Sequence, residues 1–396
     1  MQWMTRVLFY LPVVTPWWFD NIVAPLIRTL AVDSKVHILV APLWRNTGIG
    51  PDQIAGCSAI PNLLWHIVDD PDHRSLRTSP TDPDGLVAFV RSIAPDYVFC
   101  RSADVATPSR FPGKVVQLLE AGAPPFAFPS DRIIFQRDFL HHGAMPMLDG
   151  ADRHALDATF AGAWQRMRSR FDSQPPFCLS REAALERMGL PRDRKIVALP
   201  LEYEHEEAFT GFHSPFTRNL DLIEHLADAI DDDCVLGITD HPLNYRYIDN
   251  RPVYAMIEAL GDRAHLVPNA AARYWPTTLL IQNCDGLVVR DTKALYAGAF
   301  FGKPTLRLSH RPTADWIGAH SDVASFLDDM RAGRGGACIN DASRWFAFHI
   351  LHEVISPTEI SSADILDRID MPFSGDRLRA GLARFEAQQG EVDLAA

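Results

Sequence analysis

The stretches Cys234-Val-Leu-Gly-Ile-Thr-Asp-His-Pro242 and Asp285-Gly-Leu-Val-Val-Arg-Asp-Thr-Lys293 decide the fold. Each is a short apolar run that ends abruptly at polar residues. This pattern is typical of a buried parallel strand that brings functional groups to the carboxyl edge of a sheet. The second run continues into residues 294–301, which have the composition of a helix and end at Gly302-Lys303-Pro304. Together the two runs predict an α/β sheet with functional side chains along one edge.

Further runs of this kind predict two α/β domains. The chain of 396 residues is longer than one ordinary core and fits two domains of similar size. The first domain is predicted at residues 1–177 and the second at 178–340, with a linker at 173–177 and closing helices at 341–396. Strands are predicted at 6–11, 36–41, 96–100, 114–120, 195–200, 234–239, 265–267, 285–289 and 305–308. Helices are predicted at 21–30, 86–93, 158–167, 180–189, 220–230, 253–260, 294–301, 342–354 and 375–388.

Composition excludes several classes of protein. The chain is 47% apolar and 22% charged, which is typical of a globular protein. Its net charge of -12 argues against nucleic-acid binding, which usually requires a basic surface. The six cysteines contain no Cys-x-x-Cys pair, which predicts reduced thiols, neither a zinc site nor a disulfide scaffold. The apolar run 7–14 is shorter than the roughly 20 residues of a membrane span, so membrane contact is expected to be peripheral at most.

The ends of the two quoted runs predict a phosphate site. His241 precedes Pro242, and proline biases the residue before it toward extended backbone, which holds the imidazole in one direction. Asp291 and Thr292 are suited to cap the helix that follows. A helix N-terminus with free N–H groups beside Lys293 is also suited to bind a phosphate. A nucleotide-using enzyme is therefore the leading hypothesis, although a strand cap and a helix cap remain the simpler explanations of these residues.

An acidic segment follows the predicted strand at 195–200. If the segment is extended, Glu202, Glu204 and Glu206 share one face, with His205 between them. Crowded carboxylates raise at least one pKa, as acid–base or nucleophilic roles require. A solvated acidic loop is the alternative interpretation.

In the first domain, Glu120 ends another apolar run and is predicted to lie at the edge that faces the second domain. A carboxylate at this position could take a proton from an acceptor. Trp17 and Trp18 follow the first strand, where they could stack on a sugar. It is equally consistent with the pattern that one ring packs inward and the other is partly exposed.

These motifs resemble the bacterial capsule polysaccharide biosynthesis proteins, and among them the retaining β-Kdo glycosyltransferases of GT-B fold. Residues 181–200 resemble the start of that family's second domain, residues 239–242 its His-Pro motif, and residues 288–304 the segment in which Thr292 takes the place of a serine. Three positions differ: Thr239 stands where the family has lysine, Glu202 where it has glutamine, and Ala297-Gly298 where it has Glu-Ala.

The resemblance implies a GT-B fold, with two Rossmann-like domains facing a cleft, and a site for a CMP-sugar. In that family the His-Pro motif contacts the cytidine monophosphate, so nucleotide binding is assigned to His241, Pro242, Arg290, Asp291, Thr292 and Lys293. Glu206, or Glu204 as the second choice, takes the place of the family's nucleophilic aspartate. Glu120 is assigned as the acid–base group, and Glu202 and His205 as sugar-binding residues.

The predicted activity is therefore the transfer of Kdo or a related ulosonic acid from a CMP-sugar to a surface-polysaccharide acceptor. The acceptor is an oligosaccharide or a glycolipid, no metal or other cofactor is expected, and the expected location is the cytoplasm or the inner-membrane surface. Two alternatives remain open: a transferase of the same fold that uses a UDP- or GDP-sugar, and a non-catalytic glycan-binding or assembly protein.

Overall fold

The computed structural model describes residues 4–44, 47–68, 76, 80–126, 128, 132–137, 142–204, 212–269 and 276–387. In the first half, the six strands within these ranges are β1 Thr5–Leu11, β2 Ser34–Val40, β3 Leu63–Ile67, β4 Tyr97–Cys100, β5 Lys114–Glu120 and β6 Ile133–Gln136. The helices are α1 Pro16–Trp18, which continues through a π turn (Phe19–Val23) into α2 Ala24–Leu30, then α3 Pro51–Gly56, α4 Pro83–Ile93 and α5 Gly150–Ser173.

The second half has the same plan. Its strands are β7 Lys195–Pro200, β8 Cys234–Thr239, β9 Ala264–Leu266, β10 Gly286–Val289 and β11 Thr305–Arg307. The helices are α6 Arg181–Met188, α7 Asn219–Ala229, α8 Asn244–Tyr247, α9 Arg251–Ala259, α10 Pro276–Asn283, α11 Ala294–Phe301 and α12 Val323–Arg331. The chain closes with α13 Ile339–Phe348, a π-helical segment His349–Glu353, α14 Ser362–Asp370 and α15 Gly375–Ala387.

The two sheets are wound in the same way. The first has the strand order β3-β2-β1-β4-β5-β6, and the second, read from its other edge, has the order β9-β8-β7-β10-β11. All pairings are parallel except that β6 runs antiparallel to β5. Strand order 3-2-1-4-5 is that of Rossmann-like domains. The predicted α/β fold with two such domains, the GT-B architecture, is confirmed.

Both sheets are covered by side chains on their two faces. In β1, Phe9 packs into the core on one side while Leu8 packs into the core on the other. In β7, Val197 and Ala198 divide in the same way. This explains why the strands are continuous apolar runs, since alternating polar residues would be buried on one face.

The last helices pack against both halves. Trp345 and Phe346 of α13 share an aromatic cluster with Trp164 of α5 and Phe300 of α11. Ile365 of α14 packs into the core around β1. Within the described residues, no helix combines the length and the apolar composition that crossing a bilayer requires.

Several elements were not predicted. They are β3, β6, α1, α3, α8, α10, α12 and α14. β6 forms an antiparallel edge strand beside β5, in a part of the chain for which no strand was predicted. Four-residue edge strands give too little pattern to recognise in a sequence.

Candidate functional site

Ligands of Rossmann-like domains bind at the carboxyl edge of the sheet, where the strand order reverses. In this protein the reversal lies between β1 and β4 in one sheet and between β7 and β10 in the other. Arg101 follows β4, Glu120 ends β5, and Lys293 follows β10. Lys293 Nζ lies 3.4 Å from Glu120 Oε2, so the two edges meet.

A cavity of about 220 Å³ occupies this meeting point. Both domains and the C-terminal helices line it, and its lining residues are Arg101, Leu119, Glu120, Gly122, Ile134, Gln136, His142, Asp291, Lys293, Tyr296, Arg311, Trp345 and His349. The sequence placed Glu120, Asp291 and Lys293 at one site, and the structure brings these three side chains together.

The cavity carries more positive than negative charge. Burial lowers the pKa of Arg101 and of Arg311 to about 10, so both guanidinium groups remain charged at neutral pH. Burial by itself would raise the pKa of Glu120, but the charges of Lys293 and Arg101 outweigh it and hold that pKa below its ordinary value. The lining therefore combines cations with an ionised carboxylate and favours an anionic ligand.

Asp291 has a structural partner outside the cavity. Its Oδ1 accepts hydrogen bonds from Arg307 Nη2 and from Ser309 Oγ, both at 2.8 Å. The guanidinium of Arg307 is 2% exposed, so the negative charge of Asp291 is largely compensated. Asp291 thus holds the loop after β10 in place, and it does not cap α11.

His241 lies after β8, on the same edge of the second sheet. Its Nδ1 accepts a hydrogen bond from the backbone N–H of Leu243 at 3.2 Å, and burial lowers the pKa of the ring. The neutral imidazole therefore carries its hydrogen on Nε2. Tyr203 stacks on the ring, with centroids 5.7 Å apart. His241 can thus donate a hydrogen bond to a phosphate oxygen, while the adjacent Pro242 is exposed.

Thr292 and Lys293 lie at the start of α11. Thr292 Oγ1 accepts a hydrogen bond from Ala294 N at 3.3 Å, but the N-cap residue is Lys293 and no side chain caps the helix, contrary to the prediction. The next two N–H groups donate to Thr292 O and Lys293 O, so the helix start has no free N–H among these three residues. β8 and β10 flank β7, so these two strands lie about 10 Å apart, and His241 and Thr292 follow their carboxyl ends. A diphosphate-sized or sugar-phosphate group could contact both positions.

For three residues the contacts in the structure differ from the predicted roles in sugar binding, phosphate binding or nucleophilic attack. Glu202, predicted to bind sugar, is the first. It is 3% exposed, its Oε1 accepts from Asp291 N at 2.8 Å, and its Oε2 lies 3.6 Å from Arg290 Nε. Burial raises the pKa of Glu202 to about 7, although Arg290 opposes the shift. Glu202 therefore ties the loops after β7 and β10 together below the surface.

Arg290 is the second. Its guanidinium is 2% exposed and donates to Phe216 O at 2.9 Å and to Asn219 Oδ1 at 2.5 Å. The sequence suggested a phosphate contact because the residue stands beside a helix start. The guanidinium instead faces the interior and supports the segment before α7.

Glu204 is the third, and its carboxylate contacts the start of α7. Its Oε2 accepts a hydrogen bond from Asn219 N at 2.6 Å, which satisfies a free N–H at the start of α7. Its own backbone N–H donates to Asn244 Oδ1 at 3.0 Å. The segment is not a regular extended strand, so the period-two argument fails. Glu206 and His205, the other two predicted residues, lie outside the described residues.

Trp17 and Trp18 do not form a common stacking surface. Trp18 is 2% exposed and Trp17 is 53% exposed. The guanidinium of Arg101 lies over the Trp18 ring, with its Cζ 3.9 Å from the centroid. Trp18 therefore packs against Arg101 and supports its position in the cavity wall.

The residues that sequence reasoning missed come from loops, from α11 and from the C-terminal helices. They are Arg101, His142, Tyr296, Arg311, Trp345 and His349. Tyr296 Oη lies 3.4 Å from His142 Nδ1. The only sequence signal was the spacing of Trp345 and His349 by four residues, which places them on one face of a helix. Among the described residues, no group of three or more His, Cys, Asp or Glu side chains is arranged to hold a metal ion.

No family model matches the chain, and no curated protein sequence matches it. Solved structures show a general likeness. The β-Kdo 2,7-transferase KpsC of Thermosulfurimonas dismutans aligns with 92% of this chain and 98% of its own, at 11% identity and a TM-score of 0.46. The β-Kdo 2,4-transferase KpsC of that organism covers 86% and 98%, at 10% identity and a TM-score of 0.38.

A glycosyltransferase from Rickettsia africae ESF-5 aligns with 98% of this chain and 99% of its own, at 10% identity and a TM-score of 0.32. The assignment of the fold rests on the two strand orders, which are independent of these similarities.

Proposed function

We propose that this protein is a glycosyltransferase that moves an acidic sugar, Kdo or a related ulosonic acid, from a CMP-sugar to a bacterial surface-polysaccharide acceptor with retention of configuration. The observation that carries the proposal is the cation-lined cavity at the carboxyl edges of two Rossmann-like sheets. The choice of CMP and Kdo rests on the sequence resemblance of residues 239–242 and 288–304.

The size and charge of the cavity support a single acidic sugar as its occupant. At about 220 Å³ it is smaller than the roughly 300–1,000 Å³ typical of pockets for drug-sized ligands. Arg101, Arg311 and Lys293 can pair with a sugar carboxylate, and arginine does so with two parallel hydrogen bonds. The nucleotide would then lie outside the cavity, along the carboxyl edge of the second sheet.

The phosphate of the donor would lie between His241 and the start of α11. His241 Nε2–H and the Thr292 hydroxyl are suitable donors for phosphate oxygens. Lys293 adds a positive charge beside them. Such fixed donors stabilise the charge that develops on the departing CMP.

The sugar would be transferred in two steps. Glu206 would attack the anomeric carbon and form a covalent adduct, and the acceptor hydroxyl would then displace it. The hydroxyl must lose its proton to a base in the cavity. Two groups there can accept a proton: Glu120, as predicted from the sequence, and His349.

Hydrolysis of CMP-Kdo, with water as the acceptor, tests the proposal without knowledge of the natural acceptor. We expect the wild-type protein to release CMP above the uncatalysed rate. His241→Ala removes a donor to the leaving phosphate and should lower kcat by about 10²-fold or more. His154→Ala, at an exposed position on α5, is the matched control and should be unchanged.

Other donors separate the alternatives. Release of UDP or GDP from their sugars, with no release of CMP from CMP-Kdo, would replace the proposed donor while keeping the enzyme class. Failure to turn over any of these donors would favour the non-catalytic alternative. An intact-mass increase of one Kdo, lost in Glu206→Ala, would support the nucleophile, whereas an unshifted mass in an active enzyme would refute it.

A further inference from the structure

His349 lies in the wall of the cavity and pairs with Glu353 behind it. Both residues belong to the C-terminal helices, outside both Rossmann-like domains. His349 Nδ1 is 2.8 Å from Glu353 Oε2, and the imidazole side chain is 2% exposed. His349 Nε2 is buried and, among the described residues, has no hydrogen-bond partner. A buried ring nitrogen without a partner is costly, unless a ligand supplies the missing bond.

The ring is held in one plane. It stacks on Trp345 with centroids 4.8 Å apart, and Trp345 stacks on Tyr296 of α11 at 4.2 Å. His349 and Glu353 begin and end a π-helical segment, and such segments are frequent at functional sites. On the other side, a Cβ at Gly381 of α15 would lie 2.2 Å from Leu351 O, so glycine permits close packing against this segment.

The pair also fixes which nitrogen is basic. Because the carboxylate of Glu353 accepts a hydrogen bond from Nδ1–H, the neutral imidazole carries its hydrogen on Nδ1. Nε2 then carries the lone pair, on a ring that is part of the cavity lining. Glu353 in addition stabilises the imidazolium that forms when Nε2 takes a proton, the role a buried carboxylate plays in catalytic triads.

We propose that His349, oriented by Glu353, is the general base that takes the proton of the acceptor hydroxyl in this cavity. The proposal rests on the proposed glycosyl transfer and assigns one step of it. The O–H bond of the acceptor breaks and its proton passes to Nε2. The oxygen forms a bond to the anomeric carbon, whose bond to the leaving carboxylate or phosphate breaks with its electron pair.

Glu120 is less suited to this step. Its carboxylate lies 3.4 Å from Lys293 Nζ, and Lys293 and Arg101 hold its pKa below the ordinary value. A base is most effective when its pKa lies near the working pH, so a carboxylate held by two cations is a poor proton acceptor. Glu120 instead keeps the cations in position for the anionic sugar.

Titratable and apolar groups from several elements surround the ring. Glu353 lies on its own segment, Tyr296 on α11, and α15 packs behind through the apolar side chains Leu378, Leu382 and Phe385. The remaining titratable groups of the cavity are Arg101, Glu120, His142, Asp291, Lys293 and Arg311. The pH profile of the hydrolysis rate depends on all of these groups together.

The test is the pH dependence of kcat for CMP-Kdo hydrolysis from pH 4 to 9, because kcat includes the second step, in which water takes the place of the acceptor. We expect kcat of the wild type to rise with pH as the base loses its proton. His349→Gln should lower the rate by about 10²- to 10⁴-fold, as expected for loss of a general base, and should abolish this rise. Glu120→Gln should keep it. A rise that persists in His349→Gln and disappears in Glu120→Gln would overturn the proposal.

Glu353→Gln tests the orienting role. It keeps the imidazole but removes the charge that favours its protonated form, so the rise should move to lower pH with a smaller loss of rate. An unmoved rise would contradict the pairing. His154→Gln, exposed on α5, is the control for a histidine change.

Two measurements guard against misinterpretation. Each variant should keep the wild-type melting temperature within a few degrees. Each should also keep the wild-type affinity for CMP, because the nucleotide is proposed to bind outside the cavity, along the carboxyl edge of the second sheet. If the wild type turns over neither CMP-Kdo nor a UDP- or GDP-sugar, the proposed function fails. If it turns over CMP-Kdo and His349→Gln matches it at every pH, only the present inference fails.

Discussion

Glu202 shows at the scale of one residue how a tertiary contact changes the role of a side chain. It sits where the loops after β7 and β10 meet, and burial holds its pKa near 7. A carboxylic acid whose pKa is higher in the folded than in the unfolded state stabilises the fold while it stays protonated. That contribution is lost as the pH rises from about 4.5 to about 7.

Glu202→Gln should therefore abolish part of the pH dependence of stability. The free energy of unfolding of the variant minus that of the wild type should rise by about 3 kcal/mol between pH 4.5 and pH 8. One pKa unit corresponds to about 1.4 kcal/mol. Urea unfolding at both pH values measures the difference. Glu258→Gln, on the exposed face of α9, is the control, and a difference that stays constant with pH would contradict the assignment.

Lys293 allows a second prediction at this scale. Lys293→Ala removes a cation from the cavity and should raise KM for CMP-Kdo by about tenfold or more, because a charge-assisted contact to an anion is lost. Its ion pair with Glu120 is more than one-third exposed on both sides, so stability should change by less than about 1 kcal/mol. Lys35→Ala on β2 is the control. An unchanged KM would exclude Lys293 from the donor site.

The sequence predicted where these residues lie better than what they contact. Thr292 and Lys293 could be placed at the edge because an apolar strand and a helix flank them. The inward direction of Arg290 could not be predicted, because its partners Phe216 and Asn219 belong to a segment more than 70 residues away in the chain.

At the scale of elements, α11 begins beside the proposed phosphate contacts Thr292 and Lys293, and its Tyr296 lines the cavity. Gly298 lets it approach the sheet, since a Cβ there would lie 2.6 Å from Leu287 Cδ2 and 3.0 Å from Thr305 Oγ1. The helix and β10 could be predicted closely from the sequence because both are continuous apolar runs with a glycine after the helix. β6 could not, because it is a short edge strand.

Gly298→Ala should thus destabilise the protein by about 1–3 kcal/mol, as expected for overpacking, and should lower turnover of CMP-Kdo by displacing Lys293. Gly162→Ala in α5 is the matched control, because its added Cβ would meet only the end of Arg166 at 3.4 Å. It should stabilise by about 0.5–1 kcal/mol, the usual effect of replacing glycine within a helix. Thermal and urea unfolding distinguish the two, and equal effects would contradict the packing argument.

At the scale of the whole molecule, the cavity depends on parts that are distant in the sequence. The two domains supply Glu120 and Lys293, and the C-terminal helices supply Trp345 and His349. The winding of each sheet could be predicted from its alternating strands and helices. The contribution of α13 could not, because it depends on how an aromatic cluster brings α5, α11 and α13 together.

The most direct measurement of the central claim is a comparison of melting temperatures with CMP, UDP and GDP. A ligand that binds only the folded state at 100 times its Kd stabilises it by about 2.7 kcal/mol, which corresponds to a rise of several degrees. CMP should produce such a rise in melting temperature, and UDP and GDP should produce much smaller ones. His241→Ala should remove the response to CMP. A rise with UDP or GDP but not with CMP would contradict the proposal that the donor is a CMP-sugar.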